Sequence, residues 1–317
     1  MKTIVKRYHT KWIAAMALLC VLGLSQLYAQ QDSQYTKYMY NTQVINPAYA
    51  GSHGRPTVLS TYRTQWVGLE GAPETLALGF NAPTSEFSPI GLGLNFYRDE
   101  LGPANESAIT GDFSYTIVLG NEVQFAFGLK GGFNLLDVDY SVLNIFDPSD
   151  ELQQVNIDNR LTPIIGAGLY LHNNESWYVG LSIPNVLETT HYDDTSVSNA
   201  SEKAAVYAIG GYVFDIGPNT KFKPAVLGKF VSGSPIALDL SANFLFNEKF
   251  TLGASYRFDA AVSALAGFQI TDSFFAGYAY DYGIQELVNY NSGSHEVFLR
   301  FSLGRRNPRR LTTPRFF

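Results

Sequence analysis

The chain has 317 residues and a formal charge of −6, with 46% hydrophobic and 16% charged residues. That length suits one large domain or two small ones, and the acidic balance leaves no basic footprint for nucleic acid. An excess of 20 Tyr, 22 Phe and 28 Gly over three Met favours strands over helices.

In chain order, the first predicted element is a secretion signal over residues 1–29. Lys2, Lys6, Arg7 and Lys11 supply its basic start, residues 13–24 a short apolar stretch, and Leu27-Tyr28-Ala29 a cleavage site. The apolar stretch is short for a membrane span, so cleavage near Ala29 is expected in place of anchorage. Cys20 follows Leu19, where a lipoprotein signal prefers a small residue, and it is the only cysteine. The mature chain is therefore expected to lack disulfides, thiolate metal ligands and thiol nucleophiles. Cleavage leaves 18 Lys and Arg against 28 Asp and Glu, a balance of −10. Without the five arginines of the tail, the body stands at about −15.

Residues 30–55 are aromatic, polar and irregular, and contain Tyr35, Tyr38, Asn46, Pro47, Tyr49 and Gly51. Asn46-Pro47 ends any helix there, and Gly51 permits a turn into the first strand. The density of Tyr, with Met and Ile, argues against a disordered leader.

Residues 56–304 are predicted to form strands, because alternation of period two persists throughout. In 123–135, Val123, Phe125, Phe127, Leu129 and Phe133 oppose Gln124, Ala126, Gly128, Lys130 and Asn134. About fourteen segments follow this rule: 57–66, 75–82, 90–98, 107–119, 122–136, 162–172, 177–183, 204–214, 221–231, 236–246, 250–257, 261–270, 274–282 and 294–303. Most approach the ~9–11 residues that cross a bilayer as a tilted strand, and an even count suits a bacterial barrel.

The connections sort by parity. Those after even strands are short. Long connections over 98–106, 137–161, 184–203 and 283–293 all follow odd strands. Transmembrane barrels have short periplasmic turns and longer outer loops. Lys130, Asp239, Arg257, Glu296 and Arg300 fall in register with small or polar residues, as lumen-facing groups should. On the lipid face at mid-depth, a Lys or Arg would cost about 2–4 kcal/mol. A secreted β-sandwich shares the alternation, but it has no reason to sort its loops by parity. The expected fold is thus all-β, a transmembrane antiparallel barrel of about 14 strands. A lumen that wide is not filled by short wall side chains, so residues 30–55 are expected to plug or cap it.

Catalytic signals are sparse. His53, His172, His191 and His295 lack a zinc-binding spacing. Residues 128–132, Gly-Leu-Lys-Gly-Gly, lack the Ser or Thr of a phosphate loop and lie inside an alternating strand. No Gly-x-Ser-x-Gly elbow occurs. No cofactor or metal site is expected. His295 with Glu296 is the best pair an embedded hydrolase would have. Acidic clusters at 147–151 and 193–194 fit either calcium ligation or a solvated loop, and the latter is favoured. The tail 305–317 carries Arg305, Arg306, Arg309, Arg310 and Arg315. These arginines suit acidic or phosphate partners, against the simpler expectation of a disordered basic tail.

The stretch QYTKYMYNTQVINPAYAGS over residues 34–52 resembles the N-terminal signature of the PorP/SprF family of type IX secretion membrane proteins. The resemblance continues through Arg63, Gln65 and Trp66 in YRTQW, through GAGLYL and WYVGLSIPNVL, and along the segment from Gly210 to Arg257. It departs at Thr42-Gln43, where the family commonly has a proline. The resemblance implies a non-enzymatic outer-membrane barrel of Bacteroidetes-type bacteria. Its implied work is secretion and surface anchoring of type IX cargo, including gliding-motility adhesins, through contact with the cargo or adhesin C-terminal domain. Implied partners are other type IX secretion components, a periplasmic peptidoglycan-binding protein and outer-membrane lipid. The alternative left open is a diffusion or uptake channel.

Overall fold

The computed structural model describes residues 41–85, 88–120, 123–142, 156–173, 176–190 and 201–304. The expected signal, the tail, Tyr35, Tyr38 and both acidic loop clusters lie outside the described residues.

Fourteen antiparallel strands close on themselves. They are β1 (Thr57–Thr64), β2 (Glu74–Pro83), β3 (Ile90–Leu101), β4 (Ala104–Gly120), β5 (Val123–Val138), β6 (Ile157–Asn173) and β7 (Trp177–Ile183). Then come β8 (Ala205–Tyr212), which resumes past Val213 as Phe214–Gly217, and β9 (Thr220–Val231). The circuit ends with β10 (Ala237–Phe246), β11 (Phe250–Arg257), β12 (Ala261–Gln269), β13 (Phe274–Gly283) and β14 (Ser294–Ser302). Each strand pairs with its sequence neighbours. The seam joins β1 to β14, from Thr57 opposite Ser302 to Thr64 opposite His295. Closure leaves the sheet no open side.

The two faces are inverted relative to a soluble protein. Leu129 is 59% exposed and points outward, while its neighbour Lys130 is 6% exposed and points into the barrel. Leu92, Leu94, Ile109, Phe113, Val179 and Leu181 share the outer face, whereas Asn95, Thr110, Asp112, Ser114 and Ser182 are buried inside. A sandwich would bury the apolar set in protein; here it forms the outer surface, which suits contact with lipid. No helix among the described residues is long and apolar enough to cross a membrane.

Two expectations about strand ends need correction. The connection placed at 98–106 is a two-residue turn, Gly102-Pro103, because β3 and β4 pair as far as Leu101 opposite Ala104. Alternation fades there, since strands that rise clear of lipid need no apolar face, yet backbone pairing continues. Gly102, at φ 55°, supplies the positive dihedral the tight turn needs. Similarly, β5 and β6 extend past their predicted ends to Val138 and Ile157. The longer connections nevertheless all follow odd-numbered strands, at one end of the barrel.

Candidate functional site in the barrel lumen

Residues 41–54 occupy the lumen. Thr42–Ile45 form one helical turn, which stops at Asn46 before Pro47. Pro47–Tyr49 then make a 3-10 turn whose first amides are served by Asn46: its Oδ1 accepts from the Ala48 amide at 3.0 Å. The other end of the same side chain reaches the wall, Nδ2 donating to the Leu169 carbonyl of β6 at 3.0 Å. Asn46 is completely buried, so both halves of its amide require such partners.

Further bonds tie the segment to several strands. Gln43 Nε2 donates to the Phe80 carbonyl of β2 and to Asp112 Oδ2 of β4, each at 3.1 Å. Ser182 Oγ of β7 donates to the Ile45 carbonyl at 2.7 Å, and Ser114 Oγ of β4 to the Ala50 carbonyl at 2.7 Å. Tyr49 meets Tyr170 of β6 edge to face, ring centroids 5.4 Å apart. Ile45, Ala48 and Tyr49 belong to a buried apolar cluster that also includes Ile209 of β8, Leu227 of β9, Phe275 of β13 and Phe298 of β14.

The wall makes room by omitting side chains. A Cβ on Gly91 would lie 2.1 Å from the Ala50 carbonyl oxygen, on Gly128 2.3 Å from the Ala48 nitrogen, and on Gly168 2.1 Å from Asn46 Oδ1. These glycines face inward from β3, β5 and β6, where only a residue without a side chain lets the segment approach so closely.

Charges line the rest of the lumen, most of them beside an opposite charge. Arg63 Nη1 of β1 sits 2.6 Å from Asp281 of β13 and 3.2 Å from Glu296 of β14. Lys130 lies 3.2 Å from Asp112, and Arg257 3.0 Å from Asp239. Arg300 stacks over Phe275 at 5.0 Å and donates to Gln269 at 3.3 Å. Buried ions need such partners, since desolvation costs several kcal/mol per ion. On the long-loop side of Val44 and Ile45 the lumen opens into a cavity of about 180 Å3.

All five polar residues assigned to the lumen from alternation lie on the inward register. Of the first-strand motif, Arg63 is inside β1, while Gln65 and Trp66 fall beyond its end. Gln65 accepts from Arg63 at 3.4 Å, and Trp66 turns outward at φ 46°. His295 and Glu296 do not converge, because neighbours on a strand point to opposite faces. His295 meets Tyr278 outside at 2.5 Å, and Glu296 is buried inside. Asp112 and Asp281 were missed as the partners of Lys130 and Arg63. The same alternation marks both, since Asp112 shares a face with Thr110 and Ser114, and Asp281 with Ala279. No group of three or more potential metal ligands gathers among the described residues.

The family model described as "Type IX secretion system membrane protein PorP/SprF" matches residues 27–301. A comparison with curated protein sequences returned no match. Among solved structures, the CymD monoaromatic hydrocarbon channel is 10% identical with a TM-score of 0.51, over 84% of this chain and 94% of that one. Omp33 of Acinetobacter baumannii is 10% identical with a TM-score of 0.46, over 79% and 100%. The toluene transporter TbuX of Ralstonia pickettii is 9% identical with a TM-score of 0.47, over 80% and 90%. At such identities the likeness to CymD speaks for the barrel fold alone.

Proposed function

The chain belongs to the PorP/SprF family of type IX secretion system membrane proteins, and from that premise we propose that it is a non-enzymatic component that exports and anchors cargo such as large surface adhesins. The barrel resides in the outer membrane, and its family role in type IX secretion implies other secretion components as partners. The observation that carries the finer reading is the hydrogen-bonded lodging of residues 41–54 in the lumen. We read this segment as a stopper, and a barrel so closed would suit a docking platform better than a diffusion path. On this reading the long connections face the cell exterior and hold the cargo's C-terminal domain. The short turns face the periplasm, where a peptidoglycan-binding partner would reach them.

The test is affinity capture from intact cells with a tag after Phe317, beside a variant lacking residues 32–54. Recovery of a large secreted adhesin with secretion components, lost in the variant, is expected. A barrel recovered alone, and conducting in planar bilayers with residues 32–54 present, overturns the reading in favour of a channel.

A further inference from the structure

The cavity above residues 41–54 brings apolar and uncharged polar groups together at one end. Val44 and Ile45 form its floor, and Ile164 and Leu227 extend the apolar surface up the wall. Ser182 of β7, which donates to the Ile45 carbonyl at 2.7 Å, stands opposite Tyr207 of β8, itself part of the lining. Past β7 the chain folds over the inner face of β6, where a Cβ on Gly166 would lie 2.2 Å from the Pro184 carbonyl oxygen. Asn185 Oδ1 then accepts from the amides of Ile165 and Leu187 at 3.4 and 3.1 Å. Thr162 is the inward neighbour of Ile164 along β6. These contacts place Thr162 and Asn185 on two sides of Ile164, within the same lining as Ile45 and Tyr207.

Charged groups also line the cavity, and each is engaged. Asp239 holds Arg257, Lys130 lies against Asp112, and Glu106 accepts from Tyr97 at 2.9 Å and from Asn134 at 2.6 Å. Lys203 Nζ donates to the Ser232 carbonyl at 3.2 Å, and Lys229 Nζ lies 5.8 Å from the Tyr207 ring centroid. A charged ligand would lose its water and disturb these arrangements, whereas a neutral one leaves them intact. Thr162 and Asn185 differ from the charged groups. Both are half-buried, and the Thr162 hydroxyl and Asn185 Nδ2 make no hydrogen bond among the described residues. One can donate or accept, and the other can donate.

We propose that this cavity binds a single neutral phenolic ring, with the ring on the Val44 and Ile45 floor and its hydroxyl at the Thr162 and Asn185 side. Three features favour this ligand. The volume of about 180 Å3 suits one substituted ring, since an apolar protein cavity of ~150 Å3 takes benzene. Tyr207 offers an aromatic neighbour, and rings gain from edge-to-face or offset contact. The two unengaged polar groups beside Ile164 match a hydroxyl, which both donates and accepts. A long acyl chain fits poorly, because residues 41–54 close the cavity below. The ring could belong to a free phenol or to a tyrosyl side chain presented by a polypeptide from the long-loop side. The inference goes beyond the secretion reading and does not rest on it.

The experiment titrates the full chain in lipid nanodiscs with p-cresol, toluene and N-acetyltyrosinamide by calorimetry, with empty nanodiscs as the blank for partitioning. Saturable binding of p-cresol, at least tenfold tighter than toluene, is expected. Ile164→Trp fills the cavity and should weaken p-cresol at least tenfold, while Leu129→Trp on the outer face leaves it unchanged. Thr162→Val keeps the shape, removes the hydroxyl, and should weaken p-cresol at least threefold with no change for toluene. Heat-modifiable gel mobility verifies that each variant remains a folded barrel. N-acetyltyrosinamide binding as well as p-cresol supports the site and identifies a tyrosyl side chain as the source. Binding of p-cresol alone supports the site and identifies a free phenol. No saturable binding, equal affinity for p-cresol and toluene, or p-cresol binding indifferent to Ile164→Trp or Thr162→Val overturns the proposal.

Discussion

Glycine serves opposite ends on the two sides of this barrel. On β3, β5 and β6, inward glycines clear the lumen for residues 46–50. On β12 and β13, inward glycines clear it for the barrel's own rings. A Cβ on Gly267 would meet Phe275 at 2.4 Å, and one on Gly277 would meet Phe298 at 2.0 Å. The second side is also knitted by Arg63, Asp281 and Glu296 across the β1–β14 seam. One half of the wall thus gives way to a separate segment, and the other supplies rings of its own that pack into the same cluster as that segment. A wide lumen needs filling by some means, and this chain uses both.

The largest expected effect lies on the self-filled side. Arg63→Met strands Asp281 and Glu296 without their shared cation, and should destabilise the barrel by about 3–5 kcal/mol, measured by denaturant unfolding in detergent. If the loss is small, the seam is not held by this triad. The glycine contrast comes next. Gly128→Ala drives a Cβ into the Ala48 backbone and should cost about 1–3 kcal/mol, with a rise in single-channel conductance as residues 41–54 shift. Gly277→Ala drives a Cβ into the buried Phe298 ring, so it should also destabilise the barrel, but with conductance unchanged, since the clash lies within the wall and not with residues 41–54. Equal changes in conductance would erase the distinction between the halves.

Asn46→Ala sharpens the first region further. It removes the bonds to Leu169 and Ala48, at about 1 kcal/mol for each net hydrogen bond. Residues 41–54 should then be cleaved by added protease before the strands are. The smallest effect belongs to the base of the β5–β6 connection. Hydrogen bonds from Ser141 and Asn156 hold the Asp139 carboxyl below its ordinary value of 3.8. Its ionised form therefore steadies the connection above the ordinary value, and the contribution disappears as pH falls through the lower folded one. Hydrogen exchange at the Ser141 amide, corrected for its intrinsic rate, should lose protection with acid in the natural chain. Asp139→Ala should abolish that pH dependence.

Much of this architecture is legible along the chain. Leu129 beside Lys130 declares two faces, and fourteen such runs with connections sorted by parity declare a closed barrel. Other features lie outside that pattern. Strand pairing above the lipid survives without alternation, which is why the Gly102-Pro103 turn hides inside an expected loop. Gly128 and Gly277 look alike in sequence. What each accommodates depends on a segment some 80 residues away in one case and on the adjacent paired strand in the other.

Sequence by itself determined the strand set, the inward address of Lys130, Asp239, Arg257, Glu296 and Arg300, and the stop that Asn46-Pro47 imposes on a helix. Those follow from local rules: a period of two and a proline that lacks an amide proton. Tertiary structure alone decided that Arg63 would meet Asp281 and Glu296, that His295 would part from Glu296, and that Asn46 would bridge to Leu169. Such partnerships depend on the register in which strands close around the lumen and on where a distant segment comes to rest, and no local periodicity encodes either.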